Sequence, residues 1–281
     1  MKTPGPTWQA PTGRIELRPA RKGGLQALRA GLWRGLFAAC AVIAAAVQAP
    51  ALAGDSGDEF STGGNVALTT DYIYQGESES DGHPALQADL HANTDGSFFG
   101  AWASTRDRDL DPGAPGELEV YLGHRFDLSS AWSATVSARS HYFLRATQGS
   151  VDYQEASAGL AWLDRWTFTV TAIPNAVRWY DYMRLSRSPA WDAETSGQWL
   201  IGRGLFVTGG AGYYYSSGTV PAGIADDRPA SGYAYGNVGL AFEERHWRLE
   251  VGYFLAQNQA QDLFPYPPVN RQVAGTVSWH F

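Results

Sequence analysis

The sequence predicts an all-β chain that closes into an antiparallel transmembrane β-barrel of about 12 strands, preceded by a cleaved signal peptide. Three observations predict it. Short segments alternate apolar with small or polar residues almost to the end of the chain. The connections between them are long and tight in turn, and the chain enters through a basic, then apolar, leader.

The leader comes first. Arg29 and Arg34 precede the apolar run 35–47, which is followed by Pro50, by Ala51-Leu52-Ala53 and by Gly54-Asp55. A basic stretch, a short apolar core, a helix breaker and an A-x-A site are the parts of a secretory signal. Cleavage is expected after Ala53, since the run is short for a bilayer span. The expected organisation is therefore a signal peptide over 1–53, a short periplasmic segment over 54–62 and the barrel over 63–281.

Strands are expected at 64–75, 84–92, 97–105, 117–126, 131–143, 153–162, 166–173, 190–200, 205–215, 233–242, 247–255 and 272–281. Each has the period-2 pattern of a strand whose two faces meet different surroundings. The clearest runs from Trp132 to Tyr142. One face carries Trp132, Ala134, Val136, Ala138 and Tyr142, and the other Ser133, Thr135, Ser137, Arg139 and His141.

The connections discriminate between barrel and soluble sandwich. Tight ones fall at 93–96, 127–130, 163–165, 201–204 and 243–246, and longer ones rich in Asp, Gly, Pro and Ser lie between them. Short periplasmic turns alternating with longer outward loops are the habit of outer-membrane barrels. Outward loops are expected at about 105–117, 174–190, 216–232 and 256–271, by the same rule.

Aromatic residues border the short turns: Phe98, Phe126, Trp132, Trp162, Trp166, Trp199, Phe242, Trp247, Trp279 and Phe281. Rings at strand ends form a girdle at a membrane–water boundary, whereas rings in a sandwich core sit mid-strand. Tyr72, Tyr74, Tyr142, Tyr213, Tyr215 and Tyr253 are placed for the opposite girdle. The last strand puts Val277, Trp279 and Phe281 on one face. These three are the expected membrane-insertion signal, read by the barrel-assembly machinery.

Composition narrows the function. Seven of the 21 Lys and Arg lie in 1–53 with one of the 28 acids, leaving 14 basic and 27 acidic residues beyond. So acidic a chain is a poor nucleic-acid binder, because phosphate contacts need cations. The one cysteine, Cys40, falls in the leader, so the exported part has no thiol for catalysis or metal binding. Asp107, Asp109 and Asp111 imitate a calcium loop, but Pro112 and Leu118 stand where that loop needs Gly and Glu, so a solvated loop is expected. The six His show no metal spacing. No cofactor is implied.

Residues 63–105 carry a further block: Gly64-Asn-Val-Ala-Leu-Thr-Thr-Asp71-Tyr72-Ile-Tyr-Gln75-Gly76-Glu-Ser78, then Asp81-Gly82-His-Pro84-Ala-Leu-Gln87, then Gly100-Ala-Trp102-Ala-Ser104. This block resembles the TorF family of proteobacterial porins, with Gln75 standing where that family usually has Arg. The resemblance implies a porin-like protein of the outer membrane of a Gram-negative bacterium. It implies no particular substrate.

If the apolar face meets lipid, the other face lines the lumen. The expected lining residues are Asp71, Gln87, Asp89, Glu119, Arg125, Arg139, His141, Glu155, Asp192, Glu194, Arg248 and Glu250. Such charges are costly in lipid and must face water or one another. Acids outnumber bases among them, which favours cations in an open pore; paired with Arg, the same residues would fill the interior. The expectation is a non-enzymatic channel for passive diffusion of small hydrophilic solutes, narrow and cation-leaning. A non-conducting barrel that supports the envelope or binds partners through its loops stands as the alternative, with a lipid-acting barrel enzyme behind it.

Overall fold

The computed structural model describes residues 60–107, 114–146, 151–181, 184–217, 231–263 and 271–281. The expected signal peptide over 1–53 lies outside them.

Twelve antiparallel strands close on themselves. In chain order they are β1 (Ser61–Thr69), β4 (Ala85–Thr94), β5 (Ser97–Thr105), β6 (Gly116–Asp127), β7 (Trp132–Leu144) and β8 (Tyr153–Trp162). They continue with β9 (Trp166–Asp181), β10 (Arg184–Leu200), β11 (Leu205–Ser216), β12 (Ser231–Glu244), β13 (Trp247–Ala256) and β14 (Gln272–His280). A two-rung hairpin, β2 (Ile73–Tyr74) and β3 (Glu77–Ser78), belongs to no other sheet. One 3-10 turn spans Asn258–Asp262.

Closure is made by β1 against β14, with Val66 opposite Trp279 and Leu68 opposite Val277. The Phe281 amide donates to the Gly64 carbonyl at 3.0 Å, so pairing runs past the last strand residue. A closed barrel leaves no edge with unsatisfied backbone groups, the condition for spanning lipid.

The two faces separate as the alternation predicts. Leu68, Phe99, Leu122, Val136, Leu160, Phe168, Val238, Leu240, Val251 and Val273 are exposed on the outside. An outward surface this apolar belongs in a bilayer. At the turn end it is bordered by Phe126, Trp132, Trp162, Trp199, Trp247, Trp279 and Phe281, and towards the other end by Tyr142, Tyr213, Tyr215 and Tyr253, all exposed. Trp166 completes the turn-end row by lying over Gly197, 4.9 Å from the Trp199 ring. Only a residue without a side chain leaves room for that ring.

Four expectations are corrected. The first strand stops at Thr69 rather than 75, because the chain turns into the barrel there. Tyr72 and Tyr74 are consequently inside the barrel, not in the outer girdle; Tyr72 is buried and packs on Trp102 at 5.3 Å. Phe98 also points inward, towards Tyr121, since Gly123 opposite it leaves space for the ring. Most of the segment 174–190 is strand rather than loop: β9 runs on to Asp181 and β10 begins at Arg184, the two paired with a register shift between Ser188 and Ala190. Pro189 sits at that shift, where the ladder can spare its missing N–H.

Candidate functional site: the filled end of the barrel interior

The segment from Thr70 to Pro84 builds the site. After Thr69 the residues Asp71-Tyr-Ile-Tyr-Gln-Gly offer no lipid-compatible alternation, and Gln75 and Gly76 both take positive φ, 49° and 82°. Two such residues in succession make the tight turn that matches strand twist. The turn brings Ile73 opposite Ser78 and Tyr74 opposite Glu77, and drives the hairpin into the lumen, where Ile73 is 1% exposed. Gly76 is needed twice over, since a Cβ there would lie 2.7 Å from that of Tyr235.

Asp71 ties the base of this insertion. It is fully buried and accepts hydrogen bonds from Ser78 Oγ at 2.5 Å and Ser80 Oγ at 2.8 Å, while the Tyr72 amide donates to Ser80 Oγ at 2.7 Å. Expected to line an open lumen from a strand, Asp71 instead holds a turn. Burial pushes its carboxyl up to about 6, against the lowering effect of the two serines.

Opposite the hairpin lies a polar network on β6, β7 and β8. His141 Nδ1 is 2.9 Å from Glu117 Oε1 and 3.4 Å from Glu119 Oε1, and its Nε2 is 3.4 Å from Glu155 Oε2. Arg139 Nη1 is 2.9 Å from Glu119 Oε2. Arg106 pairs with Glu79 and lies 3.8 Å from Glu117 Oε2. The His141 ring stacks on Tyr153 at 4.1 Å. The hairpin joins this network: Tyr72 donates to Glu117 Oε2 at 3.3 Å and Tyr74 to Glu155 Oε1 at 2.8 Å.

Further groups complete the interior. Asp89 accepts from Tyr121 at 2.7 Å and lies 2.7 Å from His91 Nδ1. Tyr235 donates to Asp192 at 2.9 Å and also reaches Glu194 at 3.4 Å. Gln87 meets Ser104 at 3.5 Å. Nearer the turns, Arg248 holds Glu250 at 2.9 Å and Gln198 at 3.1 Å, and Arg125 holds Asp127 at 2.9 Å and Asp164 at 2.8 Å.

The interior is thus uneven along its axis. Towards the loop end it is filled: Thr69, Ile73, Glu117, His141, Tyr233 and Gln272 are all buried. Towards the turn end Thr167, Thr169, Ser196, Thr208 and Asn237 on the inner face are half-buried and small. Water reaches this part of the wall, and the hairpin narrows what lies beyond it.

Of the expected lining residues, the fold brings Glu119, Arg139, His141 and Glu155 into one cluster, Asp192 and Glu194 into a second, and Arg248 and Glu250 into a third. Arg125, Gln87 and Asp89 stand apart from these. Glu117, Arg106, Tyr72, Tyr74, Tyr121 and Tyr235 were not anticipated. Glu117 and Tyr121 share the period-2 face of Glu119 and were findable on that ground; Tyr72 and Tyr74 were not, because the chain leaves the wall before them and their partners are remote in sequence.

Donor atoms of Glu117, Glu119 and His141 lie within 4.8 Å of one another, a spacing a metal ion could use. Arg139 and Arg106 already answer those carboxylates, so a cation there would have to displace a guanidinium.

Comparison with known proteins agrees with this architecture. Residues 51–179 match the family described as "Bacterial protein of unknown function (Gcw_chp)". No curated protein matches the sequence. A solved structure described as "Unveiling the Mechanism Behind the in-meso Crystallization of Membrane Proteins" is similar at 10% identity and TM-score 0.50, over 78% of this chain and 83% of that one. The NanC porin is similar at 11% identity and TM-score 0.47, over 78% of this chain and 98% of its own. The COG4313 outer membrane channel from Pseudomonas putida F1 gives 11% identity and TM-score 0.47, over 81% and 98%. At such identities the likeness is one of fold alone, and the fold is a closed antiparallel barrel.

Proposed function

We propose that the protein is a channel of the Gram-negative outer membrane, passing small hydrophilic solutes by diffusion and favouring cations. One observation carries the reading: an apolar outer surface encloses a charged, partly water-accessible inner face, narrowed by an inserted hairpin, with buried apolar and tyrosine side chains gathered at the loop end. Polar groups inside a lipid-embedded barrel cost free energy unless they meet water or one another. Asp192 and Glu194 give the β10 wall its negative character, next to a Tyr235 that orders them. On this reading the partners are outer-membrane lipid, the solutes, and the assembly machinery that recognises the last strand, where Val277, Trp279 and Phe281 face outward.

A second reading is favoured by the paired acids and cations of the filled end: a barrel that stays shut and serves the envelope as a scaffold. Liposome swelling separates the two. Vesicles carrying the full-length, exported chain should swell in amino acids and small sugars and resist larger oligosaccharides; a salt gradient across them should give a potential of cation-selective sign. Vesicles that swell in no solute, with the protein verified as folded barrel, would leave the scaffold reading.

A further inference from the structure

The β2–β3 hairpin is attached to the wall differently from every barrel strand. Its rungs pair only with each other, and none joins it to the surrounding sheet. A hairpin so short has little stability of its own. Its place is set by the contacts it makes with the interior.

Its contacts with the wall are made by side chains and by one carbonyl. Tyr72 donates to Glu117 of β6 and Tyr74 to Glu155 of β8. On the other side of the lumen, the Tyr233 hydroxyl of β12 donates to the Gln75 carbonyl at 3.0 Å. Gly76 seats against Tyr235 of β12 and Ala256 of β13. The hairpin therefore bridges the interior from one wall to another. Water can replace each of these hydrogen bonds, and none is a ladder bond whose loss would open the barrel.

The inserted position has an internal opposition. It buries Ile73 and Tyr72, which favours insertion. It also leaves Glu77 Oε1 buried with no hydrogen-bond partner among the described residues. Burial holds the Glu77 carboxyl well above the usual carboxylate range. Withdrawal from the wall would hydrate that carboxyl and release the penalty. The base meanwhile stays braced, because Asp71, Ser78 and Ser80 bind one another and Thr69 of β1 donates to the Asp71 carbonyl at 2.9 Å. Gly82, with positive φ and no atom crowding its Cβ position, turns the chain back towards β4 and donates its amide to Ser78 Oγ at 3.1 Å, which completes the brace. An element with opposed contributions and a detachable hold is suited to two positions.

We propose that the β2–β3 hairpin is a gate, and that the Tyr72–Glu117 and Tyr74–Glu155 hydrogen bonds are its latch. This rests on the channel reading above. In planar bilayers, a variant lacking residues 73–78 should conduct in larger, uninterrupted steps. A second variant, Tyr72→Phe/Tyr74→Phe, should spend more time open than the unsubstituted protein. Unchanged step size and gating in the deletion variant, shown to be a folded barrel, overturn the gate, as does unchanged gating in the phenylalanine variant. If the unsubstituted chain and the deletion variant both fail to conduct while folded, the channel reading falls and the gate with it.

Discussion

The Tyr74 hydroxyl donates to Glu155 Oε1 at 2.8 Å, while His141 Nε2 lies 3.4 Å from the other oxygen of the same carboxylate. One side chain on β8 thus joins the inserted hairpin to the ion-pair network of the wall. Glu117 does the same on β6, with Tyr72 on one oxygen and His141 on the other. His141 sits between both acceptors, so the network and the hairpin stand or fall together.

Replacing His141 tests that coupling. His141→Ala leaves Glu117, Glu119 and Glu155 facing one another and removes the ring stacked on Tyr153. Breaking a buried charge network by removing one partner costs about 3–5 kcal/mol. The urea midpoint of the barrel in micelles should fall accordingly, and susceptibility of the 70–84 segment to protease should rise. Midpoint and cleavage both matching the unsubstituted protein would mean that the network is not what holds the hairpin.

Asp71 sets a pH dependence whose sign is fixed by the direction of its shift. Its carboxyl titrates at about 6 when folded, against 3.8 in the free state. The folded chain therefore binds the extra proton between these values, and stability falls as pH rises through that window. Below it the contribution is level; above it the full penalty applies, about 3 kcal/mol at most, since one pKa unit corresponds to about 1.4 kcal/mol. Asp71→Asn should flatten denaturation midpoints measured from pH 3.5 to pH 7. An unchanged slope in that variant would assign the effect to other groups.

Gly197 faces outward beneath the Trp166 ring, and an added Cβ would collide with it. Gly197→Val should displace the ring and cost about 1–3 kcal/mol by overpacking. The readout is folding yield into lipid, followed by heat-modifiable migration on gels. Trp166→Ala/Gly197→Val should recover part of the loss; a single variant that folds as well as the parent would remove the ring-over-glycine contact from the account.

Asp192 and Glu194 both meet Tyr235 on the inner face. Asp192→Asn/Glu194→Gln should shift the reversal potential in a potassium chloride gradient towards zero, leaving the barrel folded. Selectivity that does not move would locate the cation preference elsewhere on the wall.

The strands were legible because lipid on one side and water on the other impose a period of two: nine of the twelve were found within two residues of their bounds, whereas one end of β1, β9 and β10 was missed by six to eight. That signal fails where both faces are wet. From 174 to 190 the apolar alternation lapses, with Pro174 and Pro189 in the run, so the continuation of β9 and β10 looked like a loop. The inserted hairpin was hidden for another reason. Alternation tells which way a side chain faces but not that the backbone leaves the wall, and Tyr74 and Glu155 are 81 residues apart. The inward direction of Glu119, Arg139 and Asp192 could be read from the pattern; which of them would touch could not, since that depends on the register between strands.

The most direct test of the account is single-channel recording from the full-length chain purified from outer membranes and reconstituted in planar bilayers. It predicts small, intermittent, cation-selective steps, as a lumen narrowed by a movable hairpin requires. A silent bilayer, with the protein shown by circular dichroism and heat-modifiable migration to be a folded barrel, would contradict it.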